Sequence, residues 1–351
     1  MTDSTVQPTA GSAQPPAGSA QPSPAPLIRR GREVRFRGDD EFHQCWYPVA
    51  LSAEVPVGAI VGAPFLDGKV VVYRTSDGQV HVHSAYCRHL GADLSGGTLV
   101  NDRLQCPFHY WRYDGRGACA EIPAGDRPPA AAKLYDYPVA ESLGLIWAFN
   151  GETPLHEPPH FDYDESEIEV VAYRNPHVMQ VDSSVAFLNV FDLQHFRVVH
   201  GMAIDVDTTQ FLQQDHTLAY DARIATPEFG EIVQRRKLWG VNTLTVDSAS
   251  GGRPVFMMHA LCPVGPDTTQ GFLVNGTTKA PPGDAQLQEQ VRQMLQTARE
   301  YSLRLVGEDA PIFKGLRFRH DCLTASDKLL AFGINYVLRY PRAHPGRALI
   351  G

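Results

Sequence analysis

No stretch of this 351-residue sequence is apolar for the length that a bilayer span requires. The N-terminus shows no charged start followed by an apolar core, so a signal peptide is not expected and the cytoplasm is the expected location. Basic runs are nearly absent. Thirty-one Lys and Arg stand against 39 Asp and Glu, and the resulting net charge of -8 argues against a phosphate backbone as partner. The one modest basic cluster, Arg339 to Arg347, reads as a solvated terminus. No glycine-rich dinucleotide fingerprint occurs, so nicotinamide oxidation is expected to happen on another protein. There are six cysteines: Cys45, Cys87, Cys106, Cys119, Cys262 and Cys322. In a long chain without an export signal they read as reduced thiols or metal ligands rather than disulfides.

What is present divides the chain. Residues 1–26 are Pro, Ala, Ser, Gln and Gly, with AGSAQP at 10–15 and again at 17–22. Such a segment buries too little apolar surface to offset its chain entropy, so a disordered tail is expected, with order starting near Leu27 or Val34. From Cys45 to about residue 150 the pattern is short strands and turns. Val70 to Tyr73 and Val80 to His83 predict a hairpin turning at Asp77-Gly78, with His81 and His83 on an exposed polar face. Another strand is expected at Leu143 to Phe149. Pro154, Pro158 and Pro159 then mark a boundary, giving expected domains of 27–153 and 154–351. Strands in the second domain are expected at Ile168–Tyr173, His177–Val181, Ile232–Trp239, Val255–Leu261 and Gly271–Val274, forming an antiparallel sheet. A long helix is predicted from an Asp284 N-cap to about Asp309. Leu287, Val291, Met294, Leu295, Ala298, Tyr301 and Leu305 form its apolar stripe, with Met294 as core filler.

The strongest chemical signal is Cys87-Arg-His89, sixteen residues, then Cys106-Pro-Phe-His109. Each of two short loops supplies one thiolate and one imidazole. That pattern fits a [2Fe–2S] cluster with both cysteines on one iron and both histidines on the other. A Cys2His2 zinc finger presents its cysteines first and its histidines second, so the alternation disfavours zinc. Gly91, Gly96, Gly97, Gly115 and Gly117 flank the ligands and allow tight turns.

A second constellation is Asp192-Leu-Gln-His195, four residues, then His200-Gly201. Non-haem iron that binds O2 typically takes two histidines and one carboxylate on one face and leaves the other face open. Asp192 and His195 are helix neighbours, but His195 and His200 diverge by roughly 140° on an ideal helix, so the helix must distort or end between them. Taken alone, two histidines are as readily structural as ligating. His43, His156, His160, His177, His216, His259, His320 and His344 lack partners at ligand spacing.

The segments Cys87-Arg-His89-Leu-Gly-Ala-Asp-Leu and Gln105-Cys-Pro-Phe-His109-Tyr-Trp111-Arg-Tyr-Asp resemble the Rieske domain of the Rieske-type non-haem iron oxygenases, and the resemblance runs through Gly117, Cys119 and Ile122-Pro123. It implies an α+β fold: a small all-β Rieske domain plus an antiparallel-sheet and helix catalytic domain of the helix-grip type. It makes His195 and His200 the imidazole ligands of a mononuclear Fe(II), and Asp192 the carboxylate that links one of them to His109 of a neighbouring chain. Trp111 packs beside the cluster, Cys119 is a buried thiol rather than a ligand, and Asn189 matches a residue near the iron in some members. The third iron ligand is assigned to Asp309, because Glu308-Asp309-Ala-Pro-Ile-Phe is similar to the family's acidic-then-apolar segment; Glu308, Asp321 and Asp327 compete. Pro311 places the end of the helix beside the ligand.

The resemblance further implies a terminal oxygenase that draws electrons from a separate reductase or ferredoxin and works as a homotrimer on O2 and a small molecule. His89-Leu-Gly-Ala, Gln105-Cys-Pro-Phe-His and Ser326-Asp327-Lys328-Leu329 are similar to a monooxygenase group that includes aminopyrrolnitrin oxygenase. Asp192-Leu-Gln-His195-Phe is similar to steroid-oxidising members. Both imply monooxygenation of a largely apolar substrate. Demethylation or oxidative cyclisation at the same iron is the alternative within the class. An electron-transfer Rieske protein without oxygenase activity is the alternative outside it, and a zinc module the third.

Overall fold

The computed structural model describes Phe36 and residues 41–226, 230–250 and 252–351. The tail expected over 1–26 and the start of order near Leu27 or Val34 lie outside the described residues.

Short antiparallel strands build the first part. Ile60–Phe65 pairs with Gly68–Arg74, which pairs with Val80–Ser84. The second connection turns at Gly78, whose φ of +87° suits glycine and whose N–H donates to Thr75 O. A four-stranded meander follows (Thr98–Val100, Arg103–Gln105, Arg112–Tyr113, Cys119–Glu121). Trp46–Leu51, Val139–Ser142 and Leu145–Phe149 form a third small sheet.

These elements do not share one core. Val71, Tyr73, Leu94, Leu104, Tyr113 and Leu134 pack with Cys87 and Cys106 into a small separate core. The strands Trp46–Leu51 and Leu145–Phe149 instead join a large core that runs into the second part of the chain. The polar face expected for Val80–His83 is not exposed: His83 is fully buried and His81 half-buried. Tyr73 on the paired strand explains this, stacking on His81 at 5.0 Å and placing its hydroxyl 3.1 Å from His83 Nε2.

The second part is an antiparallel sheet of eight strands. In spatial order they are Ile168–Arg174, Thr268–Thr278, Arg253–Gly265, Thr243–Ser250, Gly230–Trp239, Thr217–Thr226 and Ala203–Val206, with Leu212–Gln214 also on Thr217–Thr226. His177–Val181, expected as a strand, makes only an isolated bridge from Met179 to Thr269. Pro176 interrupts it at one end, and Asp182 caps a helix at the other by accepting from Ser184 N.

That helix is α1, Ser183–Leu188; a 3-10 turn Asn189–Phe191 and α2, Leu193–Val198, follow. The long helix α3 spans Ala285–Phe313, with Asp284 accepting from Leu287 N as its cap. It runs through Pro311 rather than ending beside Asp309. The proline falls in the last turn, where its missing N–H costs only the partner of the Gly307 carbonyl. Helix α4, Lys328–Arg339, completes the layer. The segment after Arg339 is not a solvated terminus: Arg342-Ala343 pairs with Phe42-His43, and Ile350 is fully buried.

One face of the large sheet and the inner stripe of α3 line a cavity of about 540 Å³. Met294 belongs to its wall rather than to the core. No helix among the described residues is long and apolar enough to cross a membrane.

Candidate metal centres

The two motif loops have the same backbone design. Cys87 N–H donates to Ala92 O and Gly91 N–H to Cys87 O; Cys106 N–H donates to Trp111 O and Tyr110 N–H to Cys106 O. Each loop closes on itself at positions four and five beyond its cysteine, through a residue of positive φ (Gly91 at +76°, Tyr110 at +57°). The design buries the thiols and exposes the imidazoles. Cys87 and Cys106 are 4% and 1% exposed, while His89 and His109 stand in solvent with their rings 4.7 Å apart. Trp111 stacks flat on His89 at 4.5 Å and 7°.

Burial pushes the Cys87 thiol up from its ordinary range, with the neighbouring Cys106 adding to it and Tyr113 and the His89 backbone opposing. Two buried thiols side by side call for a shared cation. The Tyr113 hydroxyl accepts from Arg88 N at 3.0 Å and lies 3.1 Å from Cys87 Sγ, so its proton is free to point at the sulfur. Inner cysteines, outer histidines and a donor on the sulfur fit a [2Fe–2S] cluster whose histidine-bound iron faces outward. Cys119 is buried, and its thiol makes one long contact, to Glu121 O, among the described residues.

The second group comes together from two distant segments. Asp192 caps α2 by accepting from His195 N at 2.9 Å. The helix stops at Val198, and Gly201 at φ +67° turns the chain so that His200 faces back toward His195. Helix α3 delivers Asp309 opposite them. The Nε2 atoms of His195 and His200 lie 3.0 Å apart, and Asp309 Oδ1 is 3.1 and 3.3 Å from them. Adjacent ligands of an octahedral ion at about 2.1 Å would stand roughly 3.0 Å apart, so the triangle has the size one face of such an ion needs.

The protonation pattern agrees with metal binding. Glu308 Oε2 accepts from His200 Nδ1 at 2.7 Å, which leaves Nε2 of neutral His200 with its lone pair directed at the shared point. Burial lowers the His200 pKa, but Asp309 and Glu308 outweigh it and raise it overall. Burial likewise raises Asp309, and its two histidines outweigh that and hold it below the ordinary carboxylate range. Asn189 Nδ2 lies 3.4 Å from Asp309 Oδ2. Asp321 is exposed, and Asp327 is engaged by Thr324 and Gln194, so neither competitor reaches the histidines. Among the described residues, His195, His200 and Asp309 bring one possible ligand atom each within 4.8 Å of one another, a group that could hold a metal ion.

All three border the 540 Å³ cavity. Its walls are mostly aliphatic, aromatic and methionine side chains; Gln234, Arg236, Asn242 and His259 are among the polar residues that interrupt them. The sequence reading missed these four. His259 was legible in principle, since it alternates with Val255, Met257 and Leu261 on the inward face of one strand.

The Rieske [2Fe-2S] domain family model matches residues 45–138. The chain is 32% identical over 165 residues to cholesterol 7-desaturase of Bombyx mori, covering 45% of this chain and 36% of that protein. It is 31% identical over 167 residues to the oxygenase component of 3-ketosteroid-9-alpha-monooxygenase of Rhodococcus rhodochrous, covering 45% and 42%. The chain thus spans less than half the length of these curated relatives. Its fold is similar to dicamba monooxygenase bound to dicamba (TM-score 0.66, 21% identity, 85% of this chain and 97% of that one). It is also similar to the QL mutant of Pseudomonas putida CBB5 NdmA with theobromine (TM-score 0.66, 20% identity, 84% and 89%). Residues 45–138 are thus a Rieske [2Fe-2S] domain, and the chain as a whole has a fold similar to those of dicamba monooxygenase and NdmA.

Proposed function

We propose that this protein is a terminal oxygenase: it receives electrons from a separate reductase or ferredoxin and uses O2 to oxidise a small, largely apolar molecule. The observation that carries this is the triad of His195, His200 and Asp309, set at metal-ligand spacing in the wall of a largely apolar cavity. When bound, the cluster supplies electrons one at a time and the mononuclear iron supplies a site for O2. The chain's own part is holding and shielding. Cys87, His89, Cys106 and His109 would hold the cluster; His195, His200 and Asp309 would hold the iron. Glu308 orients His200, and the largely apolar walls would limit water at the reacting face once a substrate fills the cavity.

Monooxygenation is the preferred outcome, with demethylation or oxidative cyclisation as the alternative at the same site. The relatives' names carry a sterol desaturation and a ketosteroid monooxygenation. The two working parts would divide near residues 153 and 154. Six unpaired cysteines support a reducing, cytoplasmic setting.

A homotrimer is the assembly the surfaces support. Around His89 and His109, Leu90, Phe108 and Tyr110 are 66%, 60% and 55% exposed. Beside Asp192, Val198 is 81% exposed. The link proposed between His109 and Asp192 would join neighbouring chains of that trimer. The test is reductase-dependent O2 uptake with product analysis in the wild type and in Asp309→Ala. Loss of product in the variant with its cluster spectrum intact is expected. Turnover that survives in Asp309→Ala would remove Asp309 from the iron site, and a wild-type cluster that is reduced with no product formed would favour the electron-transfer reading.

A further inference from the structure

We infer that the substrate carries an anionic group, a carboxylate or its equivalent, and that Arg236 binds it inside the cavity. This inference rests on the oxygenase reading for the cavity's role, but not for the chemistry of the anion site.

Arg236 lies on the inward face of Gly230–Trp239, lines the cavity and is 4% exposed. A buried guanidinium normally has a carboxylate partner, because an unpaired charge in a low-dielectric interior is costly. Among the described residues Arg236 has none. Its Nε and one Nη2 hydrogen both go to a single neutral acceptor, Gln234 Oε1, at 3.2 and 3.0 Å. Its flat face rests on Phe196 at 5.3 Å, next to His195 in sequence. Nη1, with two N–H groups, is buried and has no hydrogen-bond partner. His259 Nε2 is a second buried nitrogen in the same wall without a partner.

Charge points the same way. Apart from Tyr301, the titratable residues of the cavity wall are His195, His200, Arg236, His259 and Asp309. The one carboxylate, Asp309, is committed to the two histidines. A ferrous ion in the triad would therefore leave the wall with excess positive charge around Arg236. An anionic ligand would supply the missing acceptor, take Nη1 in a charge-assisted bond and present its apolar body to the aliphatic walls. A neutral sterol would satisfy the walls and leave the guanidinium unpaired.

The test uses the iron-loaded full chain and a matched panel: 1-naphthoate, 9-fluorenecarboxylate and 4-phenylbenzoate, each beside its methyl ester. Calorimetric Kd and ligand-induced Tm shifts are read in wild type, Arg236→Lys and Arg236→Gln. At least one acid is expected to bind the wild type ten-fold or more tightly than its ester. Arg236→Gln should erase that preference, and Arg236→Lys should keep part of it. Esters binding as well as acids, no acid binding at all, or a preference that survives Arg236→Gln would each overturn the inference. Should Arg236→Gln fail to fold, the wild-type panel and Arg236→Lys still decide. A protein that prefers acids yet takes up no mononuclear iron would retain the anion site and fail as an oxygenase.

Discussion

Removing Glu308 should weaken the mononuclear metal site without touching the cluster. Glu308 shares its carboxylate between His200 Nδ1 at 2.7 Å and Arg304 Nη1 at 3.2 Å. It therefore fixes both the tautomer and the rotation of His200. In Glu308→Ala the ring loses that anchor, and its Nε2 lone pair is no longer held toward His195 and Asp309. Loss of such an orienting carboxylate typically costs about 10–100-fold in metal affinity, or roughly 1.4–2.7 kcal/mol. Glu308→Gln keeps an acceptor for Nδ1–H and loses only the charge, so it should fall at the low end. The assay is iron retention against graded concentrations of a ferrous chelator, with the EPR amplitude of the reduced cluster as internal reference. Equal iron retention in Glu308→Ala and wild type would refute the reasoning.

Tyr113→Phe should lower the reduction potential of the cluster by roughly 40 mV, the one-electron equivalent of a hydrogen bond worth about 1 kcal/mol to Cys87 Sγ; an unchanged potential by redox titration would show that the hydroxyl does not donate to the sulfur. Gly333→Ala should destabilise the fold by about 1–3 kcal/mol, because a Cβ there would stand 2.4 Å from the ring of fully buried Phe191; an unshifted urea midpoint would contradict the packing. Burial holds His43, His83 and His156 at about 3, 3 and 4. The unfolded chain takes up these protons below about pH 6.5, so stability is full above that pH and falls as pH drops toward 4. Each histidine contributes about 1.4 kcal/mol per pH unit in that window; urea midpoints that stay flat from pH 6.5 to 4.5 would contradict it.

Both proposed metal motifs could be picked out because the chemistry proposed for them needs local sequence. A loop that must present a thiol and an imidazole to one cluster keeps them two or three residues apart, as Cys87 and His89 or Cys106 and His109 are. The break between His195 and His200 followed from helix geometry and is the end of α2 at Val198. Asp309 was harder, since nothing local ties α3 to α2. In hindsight it continues the inward stripe of Tyr301 and Leu305 by one more turn, and Glu308 falls one position off that line. What stayed hidden depended on partners distant in sequence. His83 reads as polar surface until Tyr73 is laid against it, and Arg342-Ala343 as a tail until Phe42-His43 pairs with it. Arg236 follows the same rule. One more arginine on an alternating strand looks solvent-facing until the cavity closes over it.

The central claim is that one chain holds two different iron sites. The direct measurement is an iron and acid-labile sulfide count on anaerobically purified protein, with an EPR spectrum after reduction. Three irons and two sulfides per chain with a Rieske-type signal is the expected result. Zinc in place of iron, with no signal, would contradict it.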